Sequence, residues 1–420
     1  MKLDNNRLIV RLCYLGMFIQ AMVINLTPLL FIPLKEELGL SYEQVGRLVL
    51  INFVTQMLVD LVMVALVDRV NPKPLIVAAN LLASVGLWVF ALASRSAANP
   101  YQGLLLGTVV FSLGCGLLEV LLSPIRNAVP SERKAADMSL LHAFYPIGKV
   151  VVIILTALAL HMLGARHWRA IMLAWSLIPL LNTLGFSVVR LPPFAPEGQR
   201  QTLRALLRRP AYLWLLLALL TAGAAEITIA QWTSAFAEKG LGVSKLTADL
   251  AGFSLFGVGM IVGRLWYGIK GEHTDPWRWM LAGALLTAAM YLVMSLSPWP
   301  LLSLAACAPA GLFVSLLWPG TLSLATARYP LGGGSMFAML SAAGDTGAAL
   351  MPWAVGVIAD RAAVDLPSLT GLLGAGLSPD EFGLRAGLLI ATLAPLMMAV
   401  SLAAFRRVPA EHASGRTFVA

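Results

Sequence analysis

Asp60, Glu119, Lys149, Glu226 and Asp345 are ionisable residues set inside long apolar runs. A charged side chain at the centre of a membrane helix costs ~2.5–3.5 kcal/mol on insertion scales. Such residues therefore face a cavity or one another and mark the path of an ion or a solute. Their spacing agrees. Ser112, Gly116, Glu119, Ser123 and Arg126 follow helical periodicity and make one stripe along a helix. His142, Tyr145, Lys149 and Thr156 make a second stripe, and Asn52, Gln56 and Asp60 a third. Three polar stripes predict one wet wall. Asp60, Glu119 and Lys149 lie at comparable depth, and a buried lysine is tolerable when paired, so Lys149 is expected to answer Glu119 or Asp60. At least one carboxyl then remains to carry a proton. His142, near the end of its stripe, either relays protons or simply packs. The proton-coupling candidates are thus Glu119, Asp60, Lys149 and His142.

A second group suits a solute. Glu226 lies midway along an apolar segment with Gln231 and Trp232 close behind it. An aromatic face beside an amide and a carboxylate fits a sugar, with ring faces stacked and hydroxyls hydrogen-bonded. The competing role for Trp232 is that of an interfacial anchor. Gln56, Tyr145, Lys149 and Glu119 from the stripes join this group. So do Trp318, which precedes Pro319, and Asp345, whose neighbours Gly344 and Gly347 permit close helix approach or a bend.

The elements that must carry these residues are membrane helices. The chain has 420 residues, 59% hydrophobic and only 12% charged, with a mean hydropathy of +0.80. Apolar segments long enough to cross ~30 Å of hydrocarbon recur along it. They are expected near 10–34, 43–67, 74–94, 101–127, 138–163 and 168–190, then 211–236, 246–270, 276–296, 299–327, 334–360 and 384–407. The first follows a short basic tail and is too long for a signal-peptide core, so it reads as retained. The polar, Pro-rich stretch 191–210 divides the chain into a bundle over 1–190, a cytoplasmic linker, and a second bundle over 211–420. The fold class expected is all-α and integral to the membrane, twelve transmembrane helices in two six-helix, pseudo-symmetric bundles. "GLLEVLLSPIRNAVP" and "GLFVSLLWPGTLSLA" form a weak internal repeat, each a Pro-broken helix, as in transporters that build a midplane site.

With both termini cytoplasmic, most of the 30 Lys and Arg residues fall on the cytoplasmic side, as the positive-inside rule requires. The net charge of +9 then calls for no nucleic acid. Cys13, Cys115 and Cys307 show no paired spacing, so neither a disulfide framework nor a metal motif follows. There is no phosphate-binding loop and no enzyme constellation. Coupling is expected from an ion gradient, without a cofactor.

These features resemble the major facilitator superfamily. Its signature G-x-L-x-D-R-x-G-R-K between spans two and three is met by "VALVDRVNPK", with Asp68, Arg69 and Lys73 kept and Val64 in place of the first Gly. A second copy, "GRLWYGI", keeps Gly263 and Leu265, followed by Arg264 and with Tyr267 at the Asp position. In the family this loop is a cytoplasmic gate, the role implied for Asp68, Arg69, Lys73, Gly263 and Arg264. The chain is also similar to the fucose–proton symporter branch. "GCGLLEVLLSP" matches its G-x-G-x-x-E-x-x-x-N-P with Ser123 at the Asn, which implies a coupling or sugar-binding role for Glu119. "SLLHAFYPIG", "GAAEITIAQW" and "AGDTGAALMPWAVGVIAD" resemble its fifth, seventh and eleventh spans. The branch's first-span Asp is missing: "AMVINLTP" offers Asn25, a ligand candidate without an acid.

The expected function is proton-coupled symport of a small polar solute, most of all a sugar, by alternating access. The protein is placed in the inner membrane as a monomer whose partners are solute, protons and lipid. The alternatives are symport of an organic anion or sugar acid, proton-driven drug efflux, and a membrane sensor that transports nothing.

Overall fold

Among the described residues, twelve helices are long and apolar enough to span a membrane. The computed structural model describes residues 2–66, 70–96, 99–130, 134–192, 203–270, 275–329, 333–374 and 376–409. Spans 1 to 6 run over Asn5–Leu29, Tyr42–Met63, Pro72–Ala93, Pro100–Arg126, Phe144–Leu163 and Ala165–Val188. Spans 7 to 12 run over Pro210–Gly240, Lys245–Tyr267, Pro276–Leu296, Pro300–Ala325, Met339–Asp365 and Pro379–Arg407. No strand occurs among the described residues. That follows from the solvent: in lipid each backbone N–H and C=O must be satisfied within the segment, and a helix does this.

Local chemistry sets where the spans begin. Pro100, Pro210, Pro276, Pro300 and Pro379 each stand in the first turn of a helix, where no amide hydrogen is required. Asn99 and Asp275 cap the amides of Tyr101 and Trp277. Ser378 and Glu381 form a reciprocal capping box ahead of span 12. Interior prolines have unequal effects. Span 4 continues as one helix through Pro124, so the expected break there does not occur. Span 10 is interrupted at Ala306 and again just before Leu317, two residues short of Pro319. Spans 7 and 8 each contain a π-helical stretch, Phe236–Gly240 and Ala248–Ser254.

Packing repeats between the two sets of six. Span 1 packs on 5, 2 on 4, 3 on 4 and 3 on 6; likewise span 7 packs on 11, 8 on 10, 9 on 10 and 9 on 12. The bundles meet chiefly through span 2 against span 11, and through its pseudo-symmetric counterpart, span 5 against span 8. Span 11 comes close because it carries glycine where it touches. A Cβ on Gly347 would strike the carbonyl of Leu220, and one on Gly356 the carbonyl of Tyr42. Leucines and valines such as Leu58, Val62, Leu155, Leu181 and Val400 stay exposed on the outside of the bundle, as a lipid-facing surface requires.

Candidate functional site

The site forms where the two bundles touch. Asn52, Gln56 and Asp60 lie along span 2 and face span 4. Ser112 Oγ donates to Asn52 Oδ1 at 2.7 Å, and Gln56 Nε2 donates to the same oxygen at 3.2 Å. A Cβ on Gly116 would meet Val59 and the Cα of Gln56, so span 4 lies directly on span 2 here. One turn further, Glu119 reaches Asp60. Asp345 arrives from span 11, and carboxylate oxygens of the three acids lie within 4.8 Å of one another.

Asp60 and Asp345 are buried, at 3% and 5% exposure, whereas Glu119 is half-buried. Gln20 Nε2 on span 1 donates to Glu119 Oε2 at 3.0 Å. Both oxygens of Asp60 and Oδ2 of Asp345 lack a hydrogen-bond partner. Two full charges no more than 4.8 Å apart repel by about 3.5 kcal/mol or more at an effective dielectric of 20. Three charged carboxylates are therefore not held together in a buried place unless a proton or another cation is bound among them. The donors are all carboxylate oxygens, with neither Cys nor His in the group.

Lys149 is not among them. It is buried, but its ammonium lies over the rings of Phe256 at 4.7 Å and Phe253 at 5.5 Å, with Met260 Sδ at 3.9 Å. All three are on span 8. No carboxylate of the described residues is within ion-pair distance of it, so the expected pairing with Glu119 or Asp60 does not form. Helical spacing gave the right face of span 5, but that face meets span 8 and not spans 2 and 4. Thr156 departs from the same stripe, accepting from Trp175 Nε1 of span 6 at 2.9 Å. Tyr145, one turn before Lys149, lies within electrostatic reach of Glu119, Glu226 and Arg264.

Glu226 meets Arg264 instead. Arg264 Nη2 is 3.5 Å from Glu226 Oε1, and Arg264 Nε donates to the Ser315 carbonyl at 3.3 Å. Arg264, a gate candidate by the resemblance, thus makes its contacts within the second bundle, on spans 7 and 10. Gly263 is a packing contact, since a Cβ there would crowd Leu312 O at 2.8 Å. Lys73 is half-buried at the start of span 3. Asp68 and Arg69 lie outside the described residues, as does the side chain of His142.

The solute candidates separate. Gln231 is buried with Oε1 unpartnered, and Glu226 Oε2 is likewise unpartnered. Trp318 packs on Gly344, next to Asp345. Trp232 is fully buried, donates from Nε1 to Pro352 O at 2.8 Å, and stands edge-on to Phe31 and Tyr42. Asn25 donates to its own helix at Ala21 O, 2.7 Å away. Gln20 was missed by sequence reasoning. Its only signal was an amide inside the apolar run "GMFIQAMV".

One end of the interface is tied shut. Asp360 of span 11 accepts from the amides of Tyr42 and Glu43 at 2.9 and 2.6 Å, capping span 2 from the other bundle. Trp353 Nε1 donates to Glu43 Oε1 at 2.7 Å. Lys239 pairs with Glu36 at 2.5 Å and Lys35 with Asp380 at 3.9 Å.

Comparison with known proteins agrees with this architecture. The family model described as Major Facilitator Superfamily matches residues 13–352. No curated protein matches the chain. Among solved structures, a bacterial homologue of the human lysosomal transporter Spinster, in an inward-facing and occupied conformation, superposes with a TM-score of 0.77. It is 16% identical, and the match covers 95% of this chain and 96% of that one. A D-xylose–proton symporter gives 0.74 at 14% identity, over 93% and 96% of the two chains. The E. coli fucose:proton symporter gives 0.63 at 16% identity, over 95% and 98%. At these identities the likeness is one of fold.

Proposed function

The chain belongs to the Major Facilitator Superfamily, and from that premise we propose that it is a proton-coupled symporter that moves a small polar solute, in the first instance a sugar, by alternating access. The single observation that carries the reading is the carboxyl cluster at mid-depth. Asp60 and Glu119 converge where no basic residue of the described set touches them, and Glu119 is half-buried. An acid in that place takes up a proton from water and returns it. The family and two of the structural neighbours, which are named as sugar–proton symporters, support the same reading.

With both termini cytoplasmic, the end closed by Asp360 and Glu43 faces outward. Release of those contacts opens the site to the outside, where Glu119 and Asp60 load a proton and the solute enters. The solute's hydroxyls donate to the unpartnered acceptors Glu226 Oε2 and Gln231 Oε1, with Gln56, Tyr145 and Trp318 as further wall. Buried acceptors of this kind cost about 1–3 kcal/mol each when left unmade, so a polyhydroxylated ligand gains by meeting them. Closing the outer contacts and parting the cytoplasmic side then delivers both to the cell interior. The chain divides for this motion into bundles over 1–190 and 211–420, joined by the linker 191–210.

A second reading, a sugar acid or other organic anion as solute, is favoured by Lys149, a buried lysine with no carboxylate of the described residues at ion-pair distance. Uptake into proteoliposomes over a panel of neutral sugars, sugar acids and cationic dyes, with proton flux recorded, separates the readings. Proton-linked movement of a sugar supports the first. Dye export without any response to sugars or sugar acids refutes symport.

A further inference from the structure

We propose that Asp345 is the third acid of the coupling site, so that one proton pool is shared between Asp60 and Glu119 of the first bundle and Asp345 of the second. The inference rests on the proton-coupled reading above and assigns Asp345 to the proton, where its sequence context suggested the solute. Two separate observations carry it. The first is geometric: oxygens of acids from spans 2, 4 and 11 come within 4.8 Å. The second is that Asp60 is 3% exposed with neither oxygen partnered, and Asp345 is 5% exposed with Oδ2 unpartnered. Buried polar atoms need a partner, and for these oxygens of Asp60 and Asp345 the nearby polar groups are the other acids.

Among the described residues, the groups that face the cluster bring no counter-charge. Span 1 contributes the neutral amide of Gln20, and span 4 the thiol of Cys115. Span 5 contributes the phenol of Tyr145, which in turn faces Glu226 of span 7 and Arg264 of span 8. On span 11 itself, Thr346 Oγ1 turns to Met57 Sδ of span 2 at 3.3 Å, and Gly344 is covered by Trp318 of span 10. No Lys, Arg or His among the described residues acts on the three acids. On the proton-coupled reading, protons relieve that charge. In the loading step hydronium gives its proton to one carboxylate oxygen, forming an O–H bond and leaving water. In the unloading step that O–H bond breaks to cytoplasmic water and the carboxylate returns.

Because the acids belong to both bundles, proton occupancy and the seating of span 11 on spans 2 and 4 form one equilibrium. With protons bound, the three carboxyls can touch. Emptied of protons, like charges push span 11 away. A site confined to one bundle would lack this linkage.

The test uses the full-length protein in liposomes, reading solute accumulation, solute exchange and their pH midpoints in wild type, D345N and D345E. The inference expects D345N to lose gradient-driven accumulation by at least about tenfold while exchange persists. It also expects the exchange midpoint to move about one unit toward acid, since removing a like neighbour eases ionisation of the other two. D345E should restore accumulation, with a displaced midpoint. Infrared difference spectra between acid and alkaline pH should show the Asp60 and Glu119 carboxyl bands altered by D345N. If D345N fails to insert, D345E alone decides, and an unmoved midpoint overturns the proposal. Proton-coupled wild type with a D345N midpoint and accumulation unchanged overturns this inference and leaves the symport reading standing. A wild type whose solute flux moves no protons overturns both.

Discussion

Glu119 is the residue on which the most rests. It is the one acid of the cluster that is only half-buried, which on the proposed reading makes it the first to meet water. Glu119→Gln keeps the shape and the contact with Gln20 but removes the titrating group. Proteoliposomes bearing it should equilibrate solute and exchange it, yet fail to concentrate it under a proton gradient. Full accumulation would remove Glu119 from coupling. Wild-type uptake should fall as external pH rises, because loading requires a protonated acid on that side; the variant's exchange should lose most of that slope. Lys149 makes a contrasting case. Its ammonium contacts Phe253, Phe256 and Met260 and no acid of the cluster. Lys149→Met is therefore expected to leave the pH midpoint of transport in place, within about 0.3 units, while changing the preference between sugar acids and neutral sugars. A midpoint shift of a unit would show that Lys149 does address the carboxyls. Sequence periodicity found Glu119, Asp60 and Lys149 as buried polar groups, because a charge in an apolar run is conspicuous. It could not find their partners. Helical spacing tells which residues share a face, while the partner depends on which helix lies opposite. Gln20 and the Glu226–Arg264 pair were missed for that reason.

At the scale of elements, span 11 touches both the carboxyl cluster and the closed end of the interface. Its Asp345 enters the carboxyl cluster, and two turns beyond Pro352 its Asp360 caps span 2 of the other bundle. Hydrogen bonds to a charged group contribute about 1.5–3 kcal/mol each, and 1.4 kcal/mol is a factor of ten in an equilibrium. Asp360→Asn should accordingly open the closed end by roughly tenfold or more. The check is the rate at which an external thiol reagent labels a cysteine introduced at Thr27, which is 7% exposed. Background is low because Cys13, Cys115 and Cys307 are all buried. An unchanged rate would mean that the cap is decorative. The existence of all twelve spans was legible from hydropathy and length alone, since lipid leaves the backbone no alternative to a helix. The detail within them was not. Span 4 runs straight through Pro124 while span 10 breaks before Pro319. The π-helical stretches of spans 7 and 8 had no sequence cue at all.

At the scale of the molecule, the pseudo-symmetric pairing of spans explains why the interface is built from 2 with 11 and from 5 with 8. The first pair carries the acids. The second carries Lys149 against span 8, so carboxyls and ammonium occupy different seams of the same interface. That separation suits a carrier in which the proton and the solute are bound side by side and are not in direct competition for one group. It also places Trp232 correctly: it is a packed member of the closed end, beside Phe31 and Tyr42. The weak repeat around Glu119 and Gly311 fits the pseudo-symmetric pairing, because the two segments fall in spans 4 and 10, which hold corresponding places in the two bundles. The central claim is that solute and protons move together in the same direction. The most direct measurement is the pH of a weakly buffered medium when solute is added outside proteoliposomes that start with no pH gradient. Symport predicts alkalinisation of the medium on addition of the transported sugar or sugar acid, lost in Glu119→Gln. Acidification, or solute entry with no pH change, would contradict the account.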